Sequence, residues 1–394
     1  MARAFDVCIR GGGITGRALA LLLARERLRV GLVAQAPSRE AADVRGNAKT
    51  DASVDAQTDV RAYALNHKSK ALLESIRCWP GPADATPVLK MQVQGDDGGK
   101  VNFDCAATKA EALAWIVDVP VLEAQLDQAT RFQPQIELLD QAQNASLTVV
   151  CEGKTSASRA EFGVEFDVAR YPQQAIAARL HCEIPHQQTA CQWFEKDAIL
   201  GVLPMGGAIN APDPGDSGNS IAIVWSVDEA RAPALMHMPG HEFCEQLRLA
   251  SHNRFGALTL ASERMAWPLQ LAQTNRWTGH TADGQAWALA GDAAHTVHPL
   301  SGQGLNLGLA DVAELAGLLA GRDYWRSVAD EKLLRRYERS RRAEAAVLAA
   351  GTDGLQRLFA QSGSTWQMLR NAGMDGFERS GPLKAWVTRQ AMGA

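Results

Sequence analysis

The pattern of apolar and polar residues at the amino terminus predicts a strand, a helix and a second strand. Phe5–Ile9 is a short apolar run typical of a buried strand, and apolar residues then recur at helical spacing from Ile14 to about Arg25. Arg29–Val33 supplies the next apolar run. A strand, a turn, a helix and a strand in this order form one βαβ unit, which opens a doubly wound sheet, so the pattern predicts an α/β fold.

The alternation of strand and helix patterns is interrupted after Val33, and a different pattern occupies the middle of the chain. Residues 36–58 are rich in Ala, Asp, Ser and Asn without an apolar period, which predicts an exposed loop. Between about residues 171 and 268, short alternating stretches predict a mostly antiparallel sheet. The predicted strands of this sheet are Ala175–Cys182, Gln192–Phe194, Ile199–Leu203 and Ile221–Trp225.

The last third of the chain returns to the α/β pattern. Ala286–Ala290 is typical of a buried strand, and it is followed by a glycine-rich stretch that ends at helical spacing. A long charged helix is predicted over residues 334–359. The sheet-rich middle is therefore expected as an insertion into the α/β part.

A glycine motif lies between the first strand and the first helix. In Gly11-x-Gly13-x-x-Gly16, the first glycine permits a tight turn and the second allows a pyrophosphate to approach the backbone. The third glycine allows close packing of helix and strand, and the helix amino terminus faces the phosphates. In this context a bound dinucleotide is favoured over a turn that binds nothing, although Ala34 stands where such motifs usually carry a ribose-binding acid.

A second candidate site follows the predicted strand that ends at Ala290. Asp292 there can accept hydrogen bonds from a polyol, and the glycines before the next helix leave backbone amides free for electron-rich oxygens. Alone, a Gly-Asp dipeptide is often only a turn, but a flavin nucleotide offers both kinds of group. His295 and His298 are interpreted as part of a loop that shapes the site, because no Cys or carboxylate cluster accompanies them, and no metal site is predicted.

Composition narrows the functional classes. The 394 residues carry 40 basic and 44 acidic side chains without long runs of one sign, which argues against nucleic acid as a partner. The seven cysteines show no C-x-x-C pair, so buried, inert thiols in a cytoplasmic protein are expected. No apolar run approaches the roughly 18 residues of a spanning helix, and no secretory leader is predicted.

The stretch GDAAHTVHPLSGQGLNLGLADV resembles the signature of the ubiquinone-biosynthesis hydroxylases, which are FAD-dependent aromatic monooxygenases related to para-hydroxybenzoate hydroxylase. The resemblance extends to DVRAYAL, to Trp267-Pro268-Leu269, to LRRYERSRR with TDGLQRLF, and to RQAMG, in the family's order. It implies a Rossmann-type FAD-binding domain, a β-sheet substrate domain and carboxy-terminal helices. Residues 1–75, 106–170 and 269–345 are predicted to form the FAD domain, residues 76–105 and 171–268 the substrate domain, and residues 346–394 the helical segment.

The resemblance also implies an activity and a set of site residues. FAD would be reduced by a transient NAD(P)H and would use O2 to hydroxylate an aromatic ring, with a prenylated phenol as substrate. Peripheral membrane contact and association with a biosynthetic complex are left open. The cofactor-binding residues would be Gly11, Gly13, Ile14, Thr15, Gly16, Arg61, Gly291, Asp292, Gly304, Leu305 and Asn306. The residues His298, Pro299 and Leu300 would border the flavin ring, and Trp267 and Pro268 would form the wall of the substrate pocket.

Three elements depart from the family pattern. Ala34 replaces the ribose-binding acid, Val119-Pro120 replaces an Asn-Arg pair, and Glu152 replaces an Asp in an element linked to FAD and NAD(P)H contacts. Two alternatives therefore stay open beside the monooxygenase. One is a non-catalytic or weakly FAD-binding partner in ubiquinone biosynthesis, and the other is a flavin oxidoreductase of another reaction type.

Overall fold

The computed structural model describes residues 5–34, 59–95, 98–195, 198–206, 218–296, 302–360 and 364–393. Its strands are Phe5–Arg10 (β1), Val30–Val33 (β2), Ala62–Leu65 (β3), Ala85–Val88 (β4), Lys90–Gln94 (β5), Lys100–Asp104 (β6), Ala114–Asp118 (β7), Ile136–Leu139 (β8), Ala145–Val150 (β9), Phe166–Cys182 (β10), Thr189–Glu195 (β11), Ala198–Met205 (β12), Ser220–Asp228 (β13), Leu258–Leu260 (β14), Met265–Thr274 (β15), Thr278–His280 (β16), Ala286–Leu289 (β17) and His295–Thr296 (β18). Its α-helices are Ile14–Arg25 (α1), His67–Ser75 (α2), Val119–Arg131 (α3), Ser158–Glu161 (α4), Ala232–His237 (α5), Gly240–Ala250 (α6), Gly304–Ala320 (α7), Glu331–Ala360 (α8), Ser364–Arg379 (α9) and Pro382–Met392 (α10).

A six-stranded sheet carries the predicted βαβ unit. Its strand order is β16-β17-β9-β1-β2-β8, and all neighbours are parallel except the β16–β17 pair. Strand β1 lies inside the sheet, and its four apolar residues, Phe5, Val7, Cys8 and Ile9, are buried, as a strand covered on both faces requires. Helix α1 packs its Leu19 and Leu23 into the core beside the sheet. The predicted α/β class and the amino-terminal strand, helix and strand are confirmed.

A nine-stranded sheet occupies the middle of the chain. Its main path is β18-β15-β10-β13-β12-β11-β5-β6, with β14 paired to β10, and only the β11–β5 pair is parallel. The predicted strands lie within β10–β13, but β10 begins nine residues earlier than predicted, at Phe166 rather than Ala175. Its register against β15 shifts between Arg170 and Gln174, and this bulge interrupts the alternation from which a strand is predicted.

A three-stranded sheet of order β3-β7-β4 connects the two larger sheets. Asp118 at the end of β7 accepts a hydrogen bond of 2.6 Å from Arg179 of β10, and both side chains are buried. The Arg179 guanidinium also donates to the carbonyl oxygen of Arg61 at 3.2 Å. This ion pair therefore fastens the large antiparallel sheet to the segment that carries Arg61.

The carboxy-terminal helices fold back on both sheets. Helix α8 contains the predicted long charged helix, and its Tyr337 hydroxyl donates to the carbonyl oxygen of Leu289 in β17 at 2.8 Å. Helix α9 lies against β6, where the Phe377 and Phe103 rings are 6.3 Å apart. No helix in the described ranges is long and apolar enough to cross a membrane. The predicted domain boundaries stay a prediction, and both β10 and β15 run across one of them.

Candidate functional site

One continuous cavity of about 500 Å³ is lined by strands of the nine-stranded sheet and by the turns that follow strands of the six-stranded sheet. The predicted site residues that line it are Gly13, Ile14, Thr15, Arg61, Trp267, Pro268, Gly291, Asp292, Gly304 and Leu305. Gly13 and Asp292 are 279 positions apart in the chain, yet they face the same space. The geometry therefore allows one ligand to contact the glycine turn, the Gly-Asp turn and the strand wall at once.

The three motif glycines have different surroundings. Gly11 adopts a φ of +118°, and a Cβ there would lie 2.3 Å from the carbonyl oxygen of Cys151. A Cβ on Gly16 would lie 1.9 Å from the carbonyl oxygen of Gly11, so Gly11 and Gly16 shape the turn and do not line the cavity. Gly13 has no neighbour within 4 Å of its ideal Cβ position and opens on the cavity. A ligand can therefore approach the backbone closely at Gly13 alone of the three.

Two helices begin at the cavity, and no side chain caps either start. Helix α1 follows Gly13 and helix α7 follows Gln303, both without a side-chain hydrogen bond to the first amides. The first turn of an α-helix has backbone N–H groups without an intrahelical acceptor. These amides, with the positive end of each helix dipole, can bind electron-rich oxygens such as those of a phosphate or a carbonyl group.

The Gly-Asp turn is packed directly against the start of α1. Gly291 has a φ of +63°, and a Cβ there would lie 3.3 Å from the Thr15 side chain. A Cβ on Gly308 of α7 would lie 3.0 Å from the Thr15 hydroxyl oxygen and 3.3 Å from the Gly291 Cα. The threonine thus fits between two glycines, and this contact brings the amino-terminal motif and the distant turn together.

The Asp292 side chain is half-buried, and within the described part of the chain no donor forms a hydrogen bond with its carboxylate. Burial raises the pKa of Asp292; the neighbouring Lys154 and His295 lower it, and Asp311 adds to the rise. A desolvated carboxylate without donors is costly unless a ligand supplies hydrogen bonds. The hydroxyl groups of a ribityl chain would satisfy it.

Arg61 lines the cavity, but its charge is already paired. Its guanidinium bonds the Asp59 carboxylate at 2.6 Å and Glu123 of α3 at 3.2 Å. Burial lowers the pKa of Arg61, but the hydrogen bond and charge of Asp59 outweigh this effect and raise it above its ordinary value. Arg61 can donate a hydrogen bond to a ligand only while its guanidinium also remains bound to the carboxylates of Asp59 and Glu123.

The structure accounts for two of the departures from the family pattern. Pro120 lies in the first turn of α3, where a missing backbone N–H leaves no intrahelical bond unmade. The Glu152 carboxylate accepts from the Ser156 hydroxyl at 2.7 Å, and from the Ser158 hydroxyl at 2.7 Å and amide at 3.2 Å. The extra methylene of Glu152 is therefore accommodated within a local turn. Ala34 packs against Gly12, whose ideal Cβ would lie 2.7 Å from the Ala34 Cβ.

Some predicted site residues do not face the cavity or cannot be placed. Asn306 does not line it: its side chain accepts from Ser69 at 2.7 Å and donates to the carbonyl oxygen of Ala64 at 2.8 Å. His298, Pro299 and Leu300 lie outside the described residues, so their predicted place beside the flavin ring stays a prediction. His295 is buried and bonds Asp311 at 2.7 Å. No group of three metal-binding side chains occurs in the ranges described above.

The wall opposite the glycine turn is apolar. It is contributed by β10, β12, β13 and β15, and its residues are Ala175, Ala177, Leu203, Ala222, Ile223, Val224, Trp267, Pro268, Leu269 and Gln270. The described wall has no titratable side chain. It can therefore hold an uncharged ring and exclude water, but it offers no general base.

Sequence reasoning missed several residues of the cavity. Glu123, Lys154 and Tyr63 all line it, and none was predicted as a site residue, although Tyr63 lies within the DVRAYAL motif. Glu123 could have been suspected, since it follows the altered Val119-Pro120 pair by one helical turn. Lys154 directly follows the Glu152-Gly153 element, but only the fold shows that its turn meets the cavity.

The residues present fit FAD. An open glycine and an uncapped helix start suit a diphosphate, and an unsatisfied carboxylate suits a ribityl chain. A second uncapped helix start, at Gly304, suits the polar edge of a flavin ring. These features line one cavity, as a cofactor held at both ends requires.

Comparisons with known proteins agree with this geometry. Residues 124–352 match the family described as the FAD binding domain. The chain is 29% identical over 412 residues to the ubiquinone hydroxylase UbiL of Rhodospirillum rubrum, and this match covers 98% of this chain and 89% of that protein. It is 28% identical over 415 residues to the 3-demethoxyubiquinol 3-hydroxylase of Escherichia coli, covering 98% of each. The resemblance to the ubiquinone-biosynthesis hydroxylases is confirmed.

Solved structures show the same fold. PqsL, a probable FAD-dependent monooxygenase of Pseudomonas aeruginosa, superposes with a TM-score of 0.72 at 19% identity, over 94% of this chain and 99% of its own. The p-nitrophenol 4-monooxygenase PnpA of Pseudomonas putida superposes with a TM-score of 0.73 at 15% identity, over 100% and 99% of the two chains. At these identities the likeness establishes the fold of the chain.

Proposed function

Because this chain belongs to the FAD binding domain family, we propose that it is an FAD-dependent monooxygenase that hydroxylates an aromatic ring with NAD(P)H and O2. The reaction converts an aromatic C–H bond to C–OH, oxidises NAD(P)H to NAD(P)+ and reduces the second oxygen atom to water. Bound FAD supplies the redox chemistry, because flavins couple hydride transfer to oxygen activation. The observation that carries the proposal is the continuous cavity that joins the glycine turn, the unsatisfied Asp292 carboxylate and the apolar wall.

The chain's own residues bind and orient the cofactor. Backbone amides at Ile14 and Thr15 bind the diphosphate, helped by the α1 dipole. Asp292 accepts hydrogen bonds from the ribityl hydroxyls, and amides at Gly304 and Leu305 bind oxygens at the polar edge of the flavin ring. Gly11 and Gly16 act indirectly, since they hold the turn in shape.

The apolar wall determines the substrate class. Its described side chains carry no charge, so a neutral phenol is favoured over an aromatic carboxylate, whose burial without a cation would be costly. Trp267 and Pro268 form the part of this wall next to Gln270, and they restrict where the ring lies. With the ubiquinone hydroxylases among its relatives, a prenylated phenol is the proposed substrate. The wall also excludes water from the ring and the reduced cofactor.

The test is turnover by purified protein reconstituted with FAD. NADH or NADPH, O2 and a short-chain prenylphenol are supplied, and oxygen uptake and product mass are followed together. We expect a product heavier by one oxygen atom, formed in proportion to the NAD(P)H consumed. Tight FAD binding with NAD(P)H oxidation but no hydroxylated product would contradict the hydroxylase and favour another flavin reaction.

The paired state of Arg61 favours a second candidate, a weakly flavinated partner in ubiquinone biosynthesis. Asp59 and Glu123 already pair with the charge of Arg61, and Pro120 stands where the family has a cation. Less positive charge is therefore available to bind a diphosphate. Purified protein without flavin absorption, and without binding when FAD is added, would support this candidate. Contact with a membrane surface is a further prediction, because a cytoplasmic protein that acts on a lipid-tailed substrate must reach it at the membrane. Co-sedimentation with lipid vesicles tests this prediction.

A further inference from the structure

Helix α10 carries an apolar surface that nothing in the described ranges covers. Leu383 and Trp386 lie one turn apart on its outer face, and they are 53% and 54% exposed. Thr388 and Met392, on the opposite face of the helix, are buried. A Trp and a Leu side by side, surrounded by polar residues, form the kind of exposed patch that marks an interaction surface.

The inner face of α10 holds the helix in place beside the cavity. Met392 belongs to an apolar cluster that also contains Ala222, and Leu203 packs against this cluster. Leu203 and Ala222 also line the cavity, so apolar side chains extend from the cavity wall to the inner face of α10. Near the other end of the helix, Lys384 binds the Glu378 carboxylate at 2.8 Å. The outer face is therefore presented by a helix that is anchored at both ends.

The charge of this segment is opposite to that of the whole chain. The sequence from residue 379 onward has three basic residues, Arg379, Lys384 and Arg389, and no acidic residue, whereas the chain has a formal charge of -4. Arg379 and Arg389 are exposed, and neither forms an ion pair within the described ranges. Apolar side chains flanked by free cations are complementary to an anionic lipid surface.

A second exposed aromatic pair lacks this charge pattern. Tyr324 and Trp325, between α7 and α8, are 95% and 68% exposed. The neighbouring Arg326 pairs with both Asp323 and Asp330, at 3.0 and 2.9 Å. Helix α7 begins at the cavity and its 17 residues span about 25 Å, so this pair lies at the end of the helix away from the cavity. Charge and proximity to the cavity therefore favour α10 as the surface that meets lipid.

We propose that α10 docks the protein on an anionic lipid surface. Leu383 and Trp386 enter the headgroup region of that surface. Arg379 and Arg389 bind the phosphate groups of the lipids. One helix diameter, about 10–12 Å, then separates the lipid from the apolar cluster beside the cavity, so a prenylated substrate reaches the cavity without exposing its tail to open water. This delivery of substrate rests on the proposed function, whereas the docking itself does not.

The experiment is co-sedimentation of the full chain with vesicles of phosphatidylcholine alone and of phosphatidylcholine with phosphatidylglycerol. Trp386→Glu and Arg389→Gln are compared with Trp325→Glu, which makes the same change in the aromatic pair away from α10. We expect the wild type to bind the anionic vesicles more tightly than the neutral ones, and to lose this preference at high salt. Trp386→Glu should weaken binding at least about tenfold, Arg389→Gln about fivefold and Trp325→Glu less than about twofold.

Other occupants of this face give different results. No vesicle binding by the wild type, as expected if a protein partner covers the face, overturns the inference. Light scattering tests for a second copy: a dimer that Trp386→Glu dissociates, without vesicle binding, also overturns it. Equal losses of vesicle binding in Trp386→Glu and Trp325→Glu, with both folded by circular dichroism, do the same. The proposed function is tested separately, because turnover of a soluble short-chain phenol without vesicles should be the same in the wild type and both Trp variants.

Discussion

Replacement of Asp311 by Asn should destabilise the protein and weaken cofactor binding together. Asp311 is fully buried in α7, and one carboxylate oxygen accepts from the Gly291 amide at 2.8 Å and from His295 Nε2 at 2.7 Å. The other accepts from Arg341 Nε in α8 at 2.8 Å. One side chain therefore joins the Gly-Asp turn to the long carboxy-terminal helix.

The expected magnitude follows from the burial of this cluster. Removal of one partner from a buried ion pair costs about 3–5 kcal/mol, and Asn keeps the volume and one acceptor, so the lower end of about 3 kcal/mol is expected. Each kcal/mol lowers Tm by about 2–4 °C in domains of about 150–250 residues, which gives a drop of roughly 6–12 °C. Because the single amide oxygen of Asn cannot accept from both the Gly291 amide and Arg341, the turn that holds Asp292 should also be less well placed for the ribityl chain.

The assay is thermal unfolding of Asp311→Asn with and without FAD, followed by circular dichroism. Glu344→Gln is the matched control, since Glu344 also pairs with Arg341 but is largely exposed, and exposed pairs contribute about 0–1 kcal/mol. A Tm loss in Asp311→Asn no larger than that in Glu344→Gln would refute the reasoning.

Acid should remove the difference between the wild type and Asp311→Asn. Burial would raise the pKa of Asp311, but the charges and hydrogen bonds of His295 and Arg341 outweigh it and hold the pKa below its ordinary value of 3.8. A carboxyl group with a depressed pKa stabilises the fold above its unfolded pKa, and that stability is lost as the pH falls through the folded value. The two Tm curves should therefore run parallel near neutral pH and converge below about pH 4. Convergence on the alkaline side instead would show that another group is responsible.

Further substitutions test other parts of the site and the buried ion pair between the sheets. Asp292→Asn should raise the Tm of the apoprotein at neutral pH, because the raised pKa makes ionisation of Asp292 costly in the folded state, yet it should weaken FAD binding about tenfold in a fluorescence titration. Gly13→Ala should leave the free energy of unfolding within about 1 kcal/mol of the wild-type value and weaken FAD binding. Gly16→Ala, whose Cβ would lie 1.9 Å from a carbonyl oxygen, should lower the free energy of unfolding by about 3 kcal/mol or more in chemical denaturation. Equal effects of the two glycine variants would contradict their separate roles. Arg179→Met should cost about 3–5 kcal/mol because Asp118 is left buried and unpaired, and Asp118→Asn in the same chain should recover part of that loss; no recovery would mean that the pair is not coupled.

The elements that could be predicted from the sequence are those with a local signal. Helix α1 begins and ends at the predicted residues because its apolar spacing and its glycine turn are both contained in about 20 positions. The roles of Gly11 and Gly16 were also predictable, since a tight turn before a helix leaves no room for a Cβ. Burial of all seven cysteines as free thiols is confirmed.

What could not be predicted depends on contacts between distant parts of the chain. Strand β1 pairs with β9, about 140 residues later, and nothing in either strand specifies that partner. The fit of Thr15 between Gly291 and Gly308 follows from that sheet order. The same limit hid Lys154 as a lining residue of the cavity, because an exposed lysine in a turn has no periodicity and only the fold shows which cavity its turn reaches.

The central claim is that one FAD is held at both ends within one cavity. Calorimetric titration of the apoprotein with FAD, for the wild type and for a chain with both Gly13→Ala and Asp292→Asn, tests it most directly. We expect one FAD per wild-type chain and loss of affinity by at least about 100-fold in the double variant, with its fold intact by circular dichroism. FAD binding of equal strength in both chains, or no binding to the wild type, would contradict the claim.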